Sequence, residues 1–267
     1  MSTQARIYTT YPPDSPPLHP GKSWTRFVCI SDTHSREFSV PPGDVLLHSG
    51  DLSSWGTHRQ LRYTMDWLKT LPHELKIITA GNHDLSLDVK WRGSKSGVIG
   101  NIFSDLLDPD EVDASRELMQ SKEIRDAGIH YLEHQAIELS TSNGIKWKFY
   151  GSPSAARYAD GAFQYTSRSQ ARHVWSKIST DVEILLTHTP PLDVLDVTRR
   201  GKHAGCQELS NRLDHLPECR LHVFGHIHEA HGATIGNRKI GGRDVEVVSV
   251  NAAVAEGGQA VIVDLMK

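Results

Sequence analysis

The sequence predicts an α/β fold built on a mixed sheet. Seven short β-rich runs are spread along the chain, helical patterns lie between them, and one hairpin signature stands in the middle. The runs are 27–30, 44–47, 76–79, 183–186, 221–224, 245–250 and 260–263, all rich in Val, Ile, Leu and Phe. Between the second and third, residues 57–71 space Leu61, Met65, Trp67 and Leu68 for one helix face, with Thr57 as N-cap and Pro72 as stop. Residues 206–216 repeat the arrangement before the run at 221. Strands that alternate with helices call for helices on the outer faces of a sheet. Residues 135–151, turning at Ser142-Asn143-Gly144, form a hairpin, so the sheet system is mixed.

Two stretches carry neither period: 91–113, with a short helix around 102–107, and 151–173, rich in Ser, Ala, Gly and Arg. Loops of that length inside a compact domain usually serve a ligand. Residues 11–20 are too proline-rich for a helix or a central strand. The expected division is a proline-rich arm over 1–25 and a single domain over 26–267.

Composition narrows the function classes. With Lys plus Arg at 29 and Asp plus Glu at 32, the net charge of −3 offers no basic field for a nucleic-acid backbone, so nucleic acid is not indicated as a partner. The three cysteines, Cys29, Cys206 and Cys219, are widely spaced with no Cys-x-x-Cys. That argues against a disulfide framework and a thiolate zinc site, and for a reducing, cytoplasmic compartment. No run approaches the roughly 18 apolar residues of a spanning helix, so no membrane partner is expected. Sixteen histidines against three cysteines make histidine placement the informative feature.

Five segments share one layout, an apolar strand running into Gly, Asp, Asn or His: Asp32-Thr-His34, Gly50-Asp51, Gly81-Asn82-His83-Asp84, His188, and Gly225-His226-Ile-His228. Ligands of open α/β sheets bind beyond the carboxyl ends of the strands, so these tips are expected to converge. In extended backbone, residues two apart point the same way, which aims Asp32 with His34, and His226 with His228, at one cavity. Glycine ahead of the polar residue lets the chain turn sharply and approach an ion. The pooled set is Asp32, His34, Asp51, Asn82, His188, His226 and His228. Its oxygen and nitrogen donors without thiolate suit divalent transition metals, Mn2+ first, with Fe, Zn, Co or Ni as alternatives. Seven ligands are too many for one tetrahedral ion and enough for two sharing a carboxylate, a standing arrangement for phosphoryl hydrolysis. Two divalent ions, the two carboxylates and a bridging hydroxide leave about one positive charge, fit for an anionic phosphate ester.

Taken in order, these motifs resemble the calcineurin-like metallophosphoesterases over most of the chain. Further likeness, in Arg26-Phe-Val-Cys-Ile-Ser-Asp-Thr-His34, Asp44-Val-Leu-Leu-His-Ser-Gly-Asp51, Gly205-Cys206 and Leu221-His-Val-Phe-Gly225, is to the metallophosphoesterase-domain-containing branch, whose members resemble nucleotide phosphodiesterases. The resemblance implies a four-layer αββα sandwich of two mixed β-sheets flanked by helices. It also implies Asp32, His34 and His228 on a first metal, Asn82, His188 and His226 on a second, and Asp51 bridging. His83 would protonate the leaving alkoxide, with Asp84 orienting its ring, as hydroxide held between the ions attacks phosphorus in line. The Asp-Arg-Gly that protein serine/threonine phosphatases carry after Gly-Asp is absent from Gly50-Asp-Leu-Ser-Ser-Trp-Gly56, which disfavours that subclass.

The implied function is hydrolysis of a small phosphate diester, a nucleotide among the candidates. A phosphomonoesterase and a catalytically silent protein-binding scaffold are the alternatives. Histidines outside the set, His48 and His222 included, read as structural. His231 and Glu229 are close enough to line the pocket. Arg157, Arg168 and Arg172 read as surface residues or phosphate clamps, and Tyr158, Phe163, Tyr165 and Trp175 as core or as base-stacking rings. Gly21-Lys22-Ser23 lacks the first glycine and preceding strand of a P-loop.

Overall fold

The computed structural model describes residues 5–91, 107 and 109–267. The helix expected around 102–107 lies, apart from Leu107, outside them. Six strands make the first sheet: β1 (Ala5–Tyr8), β2 (Trp24–Ile30), β3 (Val45–Ser49), β4 (Leu75–Thr79), β5 (Ile129–Tyr131) and β14 (Val261–Met266), in the order β1-β14-β2-β3-β4-β5. Strands β2 to β5 run parallel, while β14 and β1 close one edge antiparallel. The second sheet holds β6 (Gln135–Ser140), β7 (Lys146–Ser152), β10 (Ile184–Thr187), β11 (Leu221–Phe224), β12 (Gly232–Ile240) and β13 (Arg243–Asn251). Its order is β12-β13-β11-β10-β7-β6, parallel in the middle and antiparallel at both edges. A small pair, β8 (Ala155–Ala156) and β9 (Gln164–Tyr165), lies in the stretch that carried no pattern.

Side-chain alternation divides the core into three apolar layers. Along β2, Phe27 and Cys29 turn toward the second sheet and pack with Leu47, Ile77, Trp147, Phe149, Ile184 and Val223. Val28 and Ile30, with Leu46 of β3, turn the other way onto Leu61, Met65 and Leu68 of helix α1 (His58–Thr70). Beyond the second sheet, Leu185 and Val247 meet Trp175 of helix α4 (Arg168–Trp175) and Leu209 and Leu213 of helix α5 (Gln207–Leu213). Three apolar layers require four of secondary structure, which is the αββα sandwich expected. Thr57 caps α1 by accepting from the Gln60 amide.

The rest of the chain departs from the sequence reading in places. Helices α2 (Pro109–Met119), α3 (Lys122–Asp126) and α4 and strands β1, β5, β8, β9 and β12 were not expected. Ala5–Tyr8 joins the first sheet as its edge strand. The proline-rich segment behind it is tied down by Arg26, whose buried guanidinium grips Asp264 at 2.7 and 2.8 Å and donates to the Pro17 and Leu18 carbonyls. Among the described residues no helix is long and apolar enough to cross a membrane.

Both sheets present the C-terminal ends of their parallel strands to one place, and the two are fastened there. Ser49 Oγ of the first sheet donates to the Val223 carbonyl of the second at 3.0 Å, and within the second sheet the Gly225 amide donates to the His188 carbonyl at 3.0 Å. Below the tips lie two matching buried pairs, His48 Nε2 with Thr33 Oγ1 at 3.0 Å and His222 Nε2 with Thr187 Oγ1 at 2.8 Å. Both histidines are fully buried and belong to the scaffold.

Burial pushes His48 down to about 3, against the opposing pull of Asp32 and Asp51, and pushes His222 well below its ordinary range. An unfolded histidine takes up its proton near pH ~6.5. Folding is therefore favoured in full above that point and loses ground as the pH falls from there toward the folded value. Between about pH 6.5 and 5 the loss is on the order of 1–2 kcal/mol per histidine, at roughly 1.4 kcal/mol per unit. A urea midpoint that drops over this range, with a shallower drop in His222→Gln, is the expected result. A midpoint flat with pH contradicts it.

Candidate metal centre

The loops leaving the strands are wound tightly around one point. Asp32, His34, Asp51 and His226 all have positive φ, between 47° and 68°, a conformation side chains rarely adopt except where the surroundings enforce it. The convergence of Asp32 with His34, and of His226 with His228, therefore does not come from extended alternation. Left-handed turns aim the first three of these side chains, and His228 opens a short 3-10 turn over His228–Ala230. The turns are locked by bonds between tips: the Asp32 amide donates to the Gly50 carbonyl at 2.9 Å, and the His34 amide to the Asp51 carbonyl at 3.0 Å. Glycine is required where these loops touch. A Cβ on Gly225 would stand 1.9 Å from Asp32 Oδ2, and one on Gly81 2.3 Å from Asp51 Oδ1.

The seven expected ligands fall into two adjoining clusters. Asp32, His34, Asp51 and His228 each place a ligand atom within 4.8 Å of the others. His228 Nε2 lies 3.1 Å from Asp32 Oδ1 and 3.4 Å from His34 Nε2, which is 3.8 Å from Asp51 Oδ2. On the other side, His188 Nε2 lies 2.9 Å from Asn82 Oδ1, 3.2 Å from His226 Nδ1 and 3.4 Å from Asp51 Oδ1. Asp51 thus reaches into both clusters, one oxygen each.

The donor chemistry fits cations. His188 Nδ1 faces the Ser49 carbonyl at 3.0 Å, and a carbonyl only accepts, so Nδ1 carries the hydrogen and the Nε2 lone pair points at two oxygens and another imidazole nitrogen. Acceptors gathered this closely in a buried place repel one another unless positive charge stands among them. Burial lowers the His188 pKa, yet the charge of Asp51 and its hydrogen bond prevail and hold it up to about 9. Asp51 itself, although burial raises it, is brought well below the usual carboxylate range by His188. Asp32 is lowered too: burial opposes ionisation, but the His228 hydrogen bond and the charge of His188 overcome it. His226, by contrast, is pushed down to about 4 by burial and by His188. Metal ions would supply the missing charge and leave the imidazoles neutral, the form that ligates.

His83 lies against this assembly, its ring centroid 4.8 Å from that of His34. Its amide donates to Asp51 Oδ1 at 2.9 Å, and its Nδ1 faces the Ser54 carbonyl at 2.8 Å. The expectation that Asp84 orients this ring is corrected. Asp84 is fully buried, and both its oxygens are taken by the Leu52, Ser53 and Gly81 amides and the Ser53 hydroxyl, at 2.6–3.1 Å. Burial and the charge of Asp51 push Asp84 up to about 6 against those donors. It clamps the Asp51 loop to the Gly81 loop, and Ser54 holds the ring. The Ser54 contribution is a main-chain oxygen, which no residue pattern could announce.

The remaining candidates separate cleanly. Arg157 pairs with Asp160, while Arg168 and Arg172 both pair with Glu208. Phe163, Tyr165 and Trp175 are buried, and Tyr158 is exposed. His231 faces the Gln259 carbonyl at 2.8 Å, and Glu229 accepts from the Arg199 amide.

The family model described as calcineurin-like phosphoesterase matches residues 25–230. Metallophosphoesterase domain-containing protein 1 of Homo sapiens and that of Mus musculus are each 35% identical over 225 residues, covering 82% of this chain. The chain spans 65% of the length of those relatives. A solved dimetal phosphatase from Danio rerio, 10% identical, covers 90% of this chain and 91% of its own, with a TM-score of 0.44. The family match extends over all seven residues of the two clusters, from Asp32 to His228, and by it the chain belongs to the calcineurin-like phosphoesterase family.

Proposed function

We propose that the protein is a dinuclear metal-dependent phosphodiesterase acting on a small nucleotide-like ester, with manganese as its ion and the cytoplasm as its compartment. The observation that carries the reading is the position of Asp51, one carboxylate shared by two clusters of oxygen and imidazole donors. The ions supply Lewis-acid charge for the phosphoryl oxygens and acidify water. The chain's own part is to hold that charge in place and manage a proton. Asp32 and Asp51 are kept ionised, and the Asn82 oxygen and the four imidazoles add donors without adding charge. His83 commits Nδ1 to Ser54, which leaves Nε2 as the atom whose proton goes to the departing alkoxide.

Charge supports a diester over a monoester. The three arginines weighed as phosphate clamps, Arg157, Arg168 and Arg172, are paired with Asp160 and Glu208. A net charge of about +1 suits a monoanionic diester better than a dianionic monoester. The three free, buried cysteines support a reducing compartment.

With Mn2+ added, bis(p-nitrophenyl) phosphate is expected to turn over faster than p-nitrophenyl phosphate. The reverse order would refute the diester reading. His83→Ala should lower kcat on an alkyl ester by about 10²–10⁴-fold with metal content unchanged, since an alkoxide needs its proton to leave. Full activity of that variant would remove His83 from the mechanism. Asp84→Asn acts differently: an NH2 group turned toward the loop amides should cost about 1–3 kcal/mol of stability, read as a lower urea midpoint. An unchanged midpoint would show that Asp84 does not clamp the loops.

A further inference from the structure

Two large aromatic side chains stand exposed at the rim of an otherwise polar centre. Trp55 is 49% and Tyr158 74% exposed, whereas Phe163 and Tyr165, from the same stretch as Tyr158, and Trp175 beyond it are buried. The Trp55 ring lies 6.1 Å from that of His83, and the Tyr158 ring 5.5 Å from that of His226. His83 in turn borders His34 at 4.8 Å, and His226 borders His188 at 4.9 Å. The two rings thus flank different clusters. Each is held by its local surroundings. The Trp55 amide donates to Gln60 Oε1 at 2.9 Å, and Trp55 follows Ser54, whose carbonyl sets the His83 ring. Tyr158 sits in a turn closed by the Arg157–Asp160 ion pair at 2.8 Å. Broad apolar faces held beside a phosphate site offer a stacking surface for planar rings.

We infer that Trp55 and Tyr158 form an aromatic clamp selecting phosphate diesters with planar ring substituents, Trp55 stacking the ring that departs and Tyr158 the ring that stays on phosphorus. The assignment of sides rests on the proposed role of His83, which places the leaving group next to Trp55. Neither residue supplies a charge or a proton. Both act on specificity.

Two esters with the same leaving group separate the roles: bis(p-nitrophenyl) phosphate, with a ring on both sides, and methyl p-nitrophenyl phosphate, with a ring only on the departing side. In Mn2+-loaded protein, Tyr158→Ala should lower the ratio of kcat/KM for the first over the second by about tenfold, on the scale of one lost stacking contact. Trp55→Ala should lower both values together by about the same factor and leave the ratio as it was. Trp55→Phe and Tyr158→Phe should recover most of each loss. A ratio unmoved by Tyr158→Ala, or a Phe variant as impaired as its Ala counterpart, overturns the clamp. If the unsubstituted protein hydrolyses neither ester, the phosphodiesterase reading fails, and the clamp is judged by binding. Calorimetry should then show phenylphosphonate bound several-fold more tightly than methylphosphonate, with the preference lost in the double Ala variant. Equal binding of the two phosphonates overturns it.

Discussion

Two ionised carboxylates, Asp32 and Asp51, sit almost wholly out of water at the point where two sheets meet, and the rest of the site is arranged around that fact. A buried carboxylate is tolerated only where charge and hydrogen bonds compensate it. Part of the compensation is local: the His226 amide donates to Asp32 at 3.0 and 3.1 Å, and the His83 amide to Asp51. The remainder has to come from cations among the imidazoles. Protons can do this only in part, because a proton that satisfies His188 makes His226 harder to protonate. Divalent ions placed between the two clusters would compensate both carboxylates and leave the imidazoles neutral.

That requirement accounts for features that would be costly in an ordinary sandwich. Four residues of the two clusters adopt left-handed backbone, and Gly81 and Gly225 admit no Cβ. Strain of this kind persists only where surrounding structure over-determines it. Here the parallel centres of both sheets, the Ser49–Val223 tie and the Asp84 clamp provide that constraint. Two buried histidine–threonine pairs, His48 with Thr33 and His222 with Thr187, brace the strands and loops beneath the centre.

Much of this was legible in the sequence because it is written in short, contiguous text. Strand runs such as Phe27-Val-Cys-Ile30 are apolar on both faces, since each face meets a separate core layer, and they stand out for that reason. The residues that gather in the two clusters stand out because each follows a strand end by a few residues. What was missed had weak local signal. Strand β12 is mostly exposed and polar, and its place is set by pairing with β13. Strand β5 has three residues. Helix α2 did carry a signal that went unused, Pro109 followed by Asp110 and Glu111 in the first turn. The role that the resemblance implied for Asp84 fails because the turn of the chain directs its carboxylate to the Leu52, Ser53 and Gly81 amides. Trp55 lay unremarked in the run Gly50–Gly56, since exposure and a neighbouring ring are properties of the folded chain.

The claim on which all of this depends is that one carboxylate joins two ions, and magnetic resonance tests it most directly. Electron paramagnetic resonance of the Mn2+-loaded protein should show the closely spaced hyperfine pattern of an exchange-coupled pair, collapsing to an isolated-ion spectrum in Asp51→Asn. Only the six-line signal of isolated Mn2+ in the unsubstituted protein, at full metal loading, would contradict the account.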